Sequence, residues 1–147
     1  MDEGWTFEHS VICPVTKEFA WNFWTTVSNW RLDSDVESVE LNGPFETGSR
    51  GATNTRSSGR IEWRLSGVVH GEAAVVEIAL PGATGQFRWT FEDVAAATRI
   101  TQRVSIAGEQ ATSLVAAIAP GLESGIPAGM QRLSEALVQA VLKNEKS

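Results

Sequence analysis

Hydrophobic and polar residues alternate with a period of two through the middle of the chain. Ile61, Trp63 and Leu65 alternate with Arg60, Glu62, Arg64 and Ser66; Phe87, Trp89 and Phe91 with Arg88, Thr90 and Glu92; Ile100, Val104 and Ile106 with Arg99, Thr101, Arg103 and Ser105. Successive side chains of a strand point to opposite faces, so each run predicts a strand with one wet and one apolar face. The expected strands are 60–69, 72–80, 85–92 and 98–107, separated by Pro81-Gly82 and by 93–97. Upstream, Ser58-Gly59 reads as the hairpin turn that joins a strand over 48–57 to the strand over 60–69. A weaker alternation over 36–41 stops at Asn42-Gly43-Pro44, and the β-formers of 5–12 end at Cys13-Pro14.

Two stretches carry the helical period instead. Phe19, Phe23 and Trp24 share one side of a short helix that ends near Thr25, with Thr16 placed to cap the amide of Phe19. A second helical turn is expected over 28–32. At the other end, Met130, Leu133, Leu137, Val141 and Leu142 mark an amphipathic helix of several turns, with Gln131, Arg132, Glu135, Gln139 and Lys143 elsewhere on the cylinder. Residues 109–119 are also helix-prone, but Pro120-Gly121 and Pro127 predict a break or kink between the two pieces. The order is strand, two short helices, six strands, long helix: an α+β fold whose seven-stranded curved antiparallel sheet wraps around a long C-terminal helix. One helix cannot fill the concave side of so large a sheet, so a cavity is expected between them. No repeat, linker or low-complexity segment interrupts 1–147, which reads as a single domain.

Composition narrows the chemistry. The 147 residues are 42% hydrophobic and 20% charged, and twelve Lys+Arg against eighteen Asp+Glu give a net charge of −6. With no basic run, neither nucleic acid nor an anionic membrane surface is an expected partner. The longest low-charge stretch, 110–122, is too short to span a bilayer, and the acidic N-terminus is unlike a signal peptide, so the expected location is cytoplasmic. Cys13 is the only cysteine and reads as core filler; a disulfide within the chain and a cysteine-cluster metal site are excluded. His9 and His70 show no metal spacing and read as structural, and tyrosine is absent. No metal and no cofactor are expected.

By strand parity the inward set is Ile61, Trp63, Leu65, Val76, Ile78, Leu80, Phe87, Trp89, Phe91, Ile100, Gln102, Val104 and Ile106. Most of it is core. Gln102 differs, because a buried amide needs partners or water: it points into a ligand cavity, or it bonds backbone near a strand end. Trp63 and Trp89 fill volume and predict a small or shallow cavity. The segment 51–56 has no apolar face in either register; it lines a wet pocket wall or forms an edge exposed on both sides. With its even-numbered side inward, Asn54 and Arg56 contact a ligand carbonyl or carboxylate. Gly121, Gly125 and Gly129 recur every four residues; they form a pocket entrance beside Leu122, Ile126 and Met130, or a flexible loop before the last helix. The candidate ligand-binding residues are Asn54, Arg56, Trp63, Ile78, Phe87, Trp89, Gln102, Leu122, Ile126 and Met130. For proton transfer the candidates are His9, Glu46, Arg56 and Gln102. The outer charges Arg60, Glu62, Arg64, Glu77, Arg88, Glu92, Arg99 and Arg103 read as cross-strand pairs on a solvated face.

Several short marks follow one another in a recognisable order: Ile12-Cys13-Pro14 leading into Phe19-Ala20-Trp21, Asn29-Trp30, Gly43-Pro44-Phe45 with Gly48 and Gly51, Trp63, Phe87-Arg88-Trp89-Thr90-Phe91-Glu92 and Thr98-Arg99-Ile100. Together they resemble the START-like helix-grip (SRPBCC) superfamily, in its polyketide cyclase/dehydrase-like branch, over nearly the whole chain. The chain departs from the pattern at Pro14-Val15, where the family commonly shows Ala-Pro, and at the two prolines of the long helix. The resemblance implies a helix-grip fold and leaves activity open, because lipid carriers, receptors and cyclases share it. Three readings follow: binding of a small hydrophobic or aromatic ligand between sheet and helix; a polyketide cyclase/dehydrase-like enzyme using the same cavity; and a module that takes a protein or peptide in the groove. A monomer or homodimer suits each.

Overall fold

The computed structural model describes residues 5–32 and 35–146, the side chains of 144–146 excepted. Its elements are β1 (Trp5–Cys13), α1 (Lys17–Thr25), a 3-10 helix (Val27–Leu32), β2 (Val36–Asn42), β3 (Arg50–Thr55), β4 (Gly59–Val69), β5 (Ala73–Leu80), β6 (Ala83–Val94), β7 (Ala97–Ala107) and α2 (Ala111–Lys146). The strands form one antiparallel sheet of seven in the order β1-β7-β6-β5-β4-β3-β2. The long C-terminal helix packs against it, which is the helix-grip α+β arrangement expected from the pattern.

Parity holds across the ladder. Phe87 lies opposite Val76 and Val104, Trp89 opposite Ala74 and Gln102, and Phe91 opposite Ile100, so one face gathers the apolar set. Helix α1 starts where the sequence places it: the Thr16 hydroxyl accepts the Phe19 amide at 3.1 Å. Its far end is closed by the next element, since Asn29 Nδ2 donates to Phe23 O at 2.8 Å and Trp30 Nε1 to Trp24 O at 2.7 Å. Those bonds satisfy carbonyls that a helix end leaves without partners, and they pin the 3-10 helix against α1.

Four expectations need correction. First, α2 is continuous from Ala111 to Lys146, with Pro120 and Pro127 inside it, so neither a break nor a loop precedes the last helix. The prolines stand one heptad apart, on one side of the helix. The carbonyls that lose their donor belong to Ala116 and Glu123, both in exposed residues, where the loss of a helix bond costs least. Second, the covering stripe of α2 is Ile126, Met130, Leu133 and Leu137, all buried, whereas Leu142 is 43% exposed. Leu142 follows Val141 by about 100° around the helix, which carries it off the stripe. Third, Gly51 and Thr53 lie opposite Trp63 and Ile61, so the odd-numbered side of β3 faces in. Asn54 lies opposite Arg60 on the outer face, donating to Ser38 Oγ at 2.9 Å and to Glu40 at 3.0 Å, and Arg56 is exposed in the turn after β3. Fourth, the outer charges are not all paired across strands. Arg60 meets Glu40 at 2.6 Å and Arg64 meets Glu77 at 2.7 Å, but Arg88 stands directly opposite Arg103.

Candidate functional site

Coverage of the inner face is uneven. Helix α2 packs chiefly on β1 and β7, α1 on β6 and β7, and the 3-10 helix on β2. The inner side chains of β4 to β6 lie between these supports, and a cavity of about 820 Å³ opens there. Its walls carry Phe23, Trp24, Trp30, Trp63, Phe87 and Trp89, with Ile61, Val76 and Ile78 on the sheet side and Leu122, Ile126, Met130 and Leu133 on the helix side.

The tryptophans leave more room than expected because they stack on one another. Trp24 lies 5.0 Å from Trp89 and Trp30 lies 5.1 Å from Trp63, centroid to centroid, in tilted pairs within the range of favourable aromatic contact. The Trp63 indole is laid flat over β3 by two features of that strand. Thr53 Oγ1 accepts its Nε1 proton at 3.0 Å, and Gly51 has no side chain to obstruct it. A Cβ at Gly51 would run into the Trp63 ring and the Glu40 carbonyl oxygen, so only glycine admits this arrangement. The polar strand that showed no apolar face is thus covered by a neighbour's indole.

Opposite the aromatic wall, Gly121, Gly125 and Gly129 line the cavity from α2, together with Ser124 and Ala128. A Cβ added to Gly121 or Gly125 would meet nothing within 4 Å. The bare helix face therefore sets the width of the opening. Each glycine costs a helix about 1 kcal/mol relative to alanine, so this stretch is held by its surroundings rather than by propensity.

Polar groups on the lining are few. Gln102 is 8% exposed, and its amide has no hydrogen-bond partner among the described residues. No fully buried side-chain polar atom among the described residues lacks a partner, so this amide is open to the cavity and keeps its donors and acceptor for whatever enters. Arg132 is the one ionisable side chain on the lining among the described residues, and it has no ion-pair partner among them.

The family-level comparison agrees with this geometry. The model for the family described as polyketide cyclase/dehydrase and lipid transport matches residues 4–141. The chain belongs to that family. Among solved structures, this family member superposes on Ara h 8.0201 with a TM-score of 0.73 at 11% identity, covering 92% of this chain and 99% of that one. Norcoclaurine synthase from Thalictrum flavum, in complex with dopamine and hydroxybenzaldehyde, gives 0.73 at 11% identity, covering 94% and 88%. The protein TTHA0849 from Thermus thermophilus gives 0.70 at 12% identity, covering 92% and 98%. At such identities the likeness is one of fold. No curated protein sequence matches the chain.

Of the residues singled out in this family member's sequence, Trp63, Ile78, Phe87, Trp89, Gln102, Leu122, Ile126 and Met130 meet around the cavity. Asn54 and Arg56 do not. The four proton-transfer candidates are dispersed. Gln102 is on the lining; His9 stands directly opposite it on β1 but outside the lining; Glu46 is exposed between β2 and β3; Arg56 is in its turn. Cys13 is fully buried with its thiol donating to Ser134 Oγ at 3.2 Å, and burial, which outweighs that bond, pushes the thiol up from its ordinary value. It ties β1 to α2. Sequence reasoning missed Arg132 by assigning it to the polar face of its helix. The signal was Gly129: helical side chains lean toward the N-terminus, and an arginine three residues after a glycine lies back over bare backbone. Its Nη2 indeed sits 3.7 Å from where a Gly129 Cβ would be.

Proposed function

We propose that this protein binds a small hydrophobic or aromatic molecule in the cavity between the sheet and α2. The observation that carries this reading is Gln102: a residue 8% exposed whose amide has no protein partner among the described residues, set in a lining that is mostly indole, phenyl and aliphatic and whose Asn29, Thr53 and Ser124 are already bonded within the protein. An apolar enclosure with one or two convergent polar groups is the usual make-up of a small-molecule site. The aromatic ligands in the norcoclaurine synthase complex occupy a protein of the same fold, which supports a cavity used for flat rings.

A cyclase or dehydrase reaction needs a group that exchanges a proton at the reacting atom. Among the described residues the lining offers the amides of Asn29 and Gln102, the hydroxyls of Thr53 and Ser124 and the Arg132 guanidinium, with no carboxylate or imidazole. Chemistry in this cavity would therefore rest on folding and positioning the substrate. Binding is the reading that the side chains support directly.

A thermal-shift screen with uncharged aromatic compounds of about 10 to 25 heavy atoms tests it. A ligand at 100 times its Kd adds about 2.7 kcal/mol, which raises Tm by roughly 5 to 10 °C for a chain of this size. A broad library without a single shift would count against the cavity as a site.

A further inference from the structure

We infer that the natural ligand is an acid: a flat apolar molecule whose carboxylate, or equivalent monoanionic group, pairs with Arg132 at the rim while its far end reaches Gln102. The inference rests on the cavity being a ligand site and adds the ligand's charge and orientation. Three observations carry it. Arg132 is the one ionisable group on the lining among the described residues, so the cavity meets a ligand with a cation and no carboxylate. It is also a spare cation: in a chain of net charge −6, no acidic side chain among the described residues pairs with it, although Glu135 stands one turn further along the same helix. Finally, it is positioned. Its guanidinium rests above Gly129 on the bare face of α2 that borders the opening.

Gln102 and Arg132, the two polar side chains of the lining without a protein partner among the described residues, differ in depth. Gln102 is buried and Arg132 is exposed, with the rings of Trp24, Trp63 and Trp89 also on the lining. A molecule matching this arrangement has an anion at one end, a flat ring system in the middle and a hydroxyl or carbonyl at the other end. The guanidinium presents two parallel donors to a carboxylate, a geometry that an ammonium or a neutral amide would not supply.

Hydroxynaphthoic acid, its carboxamide and naphthol are titrated against the wild-type protein and Arg132→Met, with tryptophan fluorescence as the readout and circular dichroism as the check of folding. Arg132 is exposed, so the variant keeps the fold. The wild type should bind the acid about tenfold more tightly than the amide, with the preference shrinking as salt rises. In Arg132→Met the two should bind alike. Equal binding of acid and amide by the wild type, or an acid preference that survives in Arg132→Met, would overturn the inference and leave the cavity reading standing. Failure of all three compounds to bind would overturn both.

Discussion

Gln102 is the residue on which ligand binding should depend most. No fully buried side-chain nitrogen or oxygen among the described residues is without a partner, so the Gln102 amide, which has none in the protein, is open to the cavity. Gln102→Met should therefore change the stability of the ligand-free protein by less than about 1 kcal/mol while weakening any ligand that presents a hydroxyl or carbonyl at that depth. Urea denaturation together with a naphthol titration checks both halves; a less stable variant with unchanged affinity would show that the amide is structural. At this scale much of the cavity lining was legible. Trp63, Ile78, Phe87, Trp89 and Gln102 were found because strand parity is rigid, and one alternation fixes every side chain of the run. Asn54 was misplaced for the complementary reason: a strand with no apolar face gives parity nothing to hold, and its side was decided by Trp63 lying across Gly51, a contact between strands. Arg132 escaped because a long side chain leaves the face that its backbone occupies.

At the scale of elements, α2 has two regimes. From Ile126 to Leu137 it is anchored by its buried stripe, and Leu137, with 0% exposure, is the point where truncation should be felt most. Leu137→Ala should cost about 2 to 5 kcal/mol in chemical denaturation, against almost nothing for the exposed Arg103→Ala; the reverse ranking would invalidate the assignment of inner and outer faces. Residues 120–129 hold two prolines and three glycines and were expected to interrupt the helix. Propensity gave the wrong answer there because exposed carbonyls tolerate a missing donor and the turns that follow, Ile126 to Leu137, are anchored by buried side chains. In the sheet, Glu77 joins β4, β5 and β6 by accepting from Arg64 and from Gln86, each at 2.7 Å. Arg64 first and Gln86 second hold its carboxyl below the ordinary glutamate value. A group whose folded value is lowered contributes stability that is fully present above its unfolded value, about 4.3, and is lost as pH falls through the folded value. The urea midpoint should accordingly drop between about pH 5 and pH 3, and Glu77→Gln should show a shallower drop over that window. An identical acid profile for the variant would mean that the pair is fully screened.

At the scale of the whole molecule the cavity is surface inside the fold, walled by the sheet, the two short helices and α2. No described helix is long and apolar enough to cross a membrane. The architecture could be read from the sequence because one period rules the sheet and another the helices. The cavity's size could not, because it depends on how large rings divide space among themselves. The central claim is that a flat apolar molecule enters between the sheet and α2, and the tryptophans make this measurable residue by residue. Trp63 and Trp89 lie on the lining, whereas Trp5 stacks on Phe7 away from it. In a titration with naphthol followed through the indole N–H resonances of the isotopically labelled protein, those of Trp63 and Trp89 should move together and saturate while that of Trp5 stays fixed. Unmoved Trp63 and Trp89 resonances at the solubility limit, or a Trp5 resonance shifting in step with them, would contradict the account.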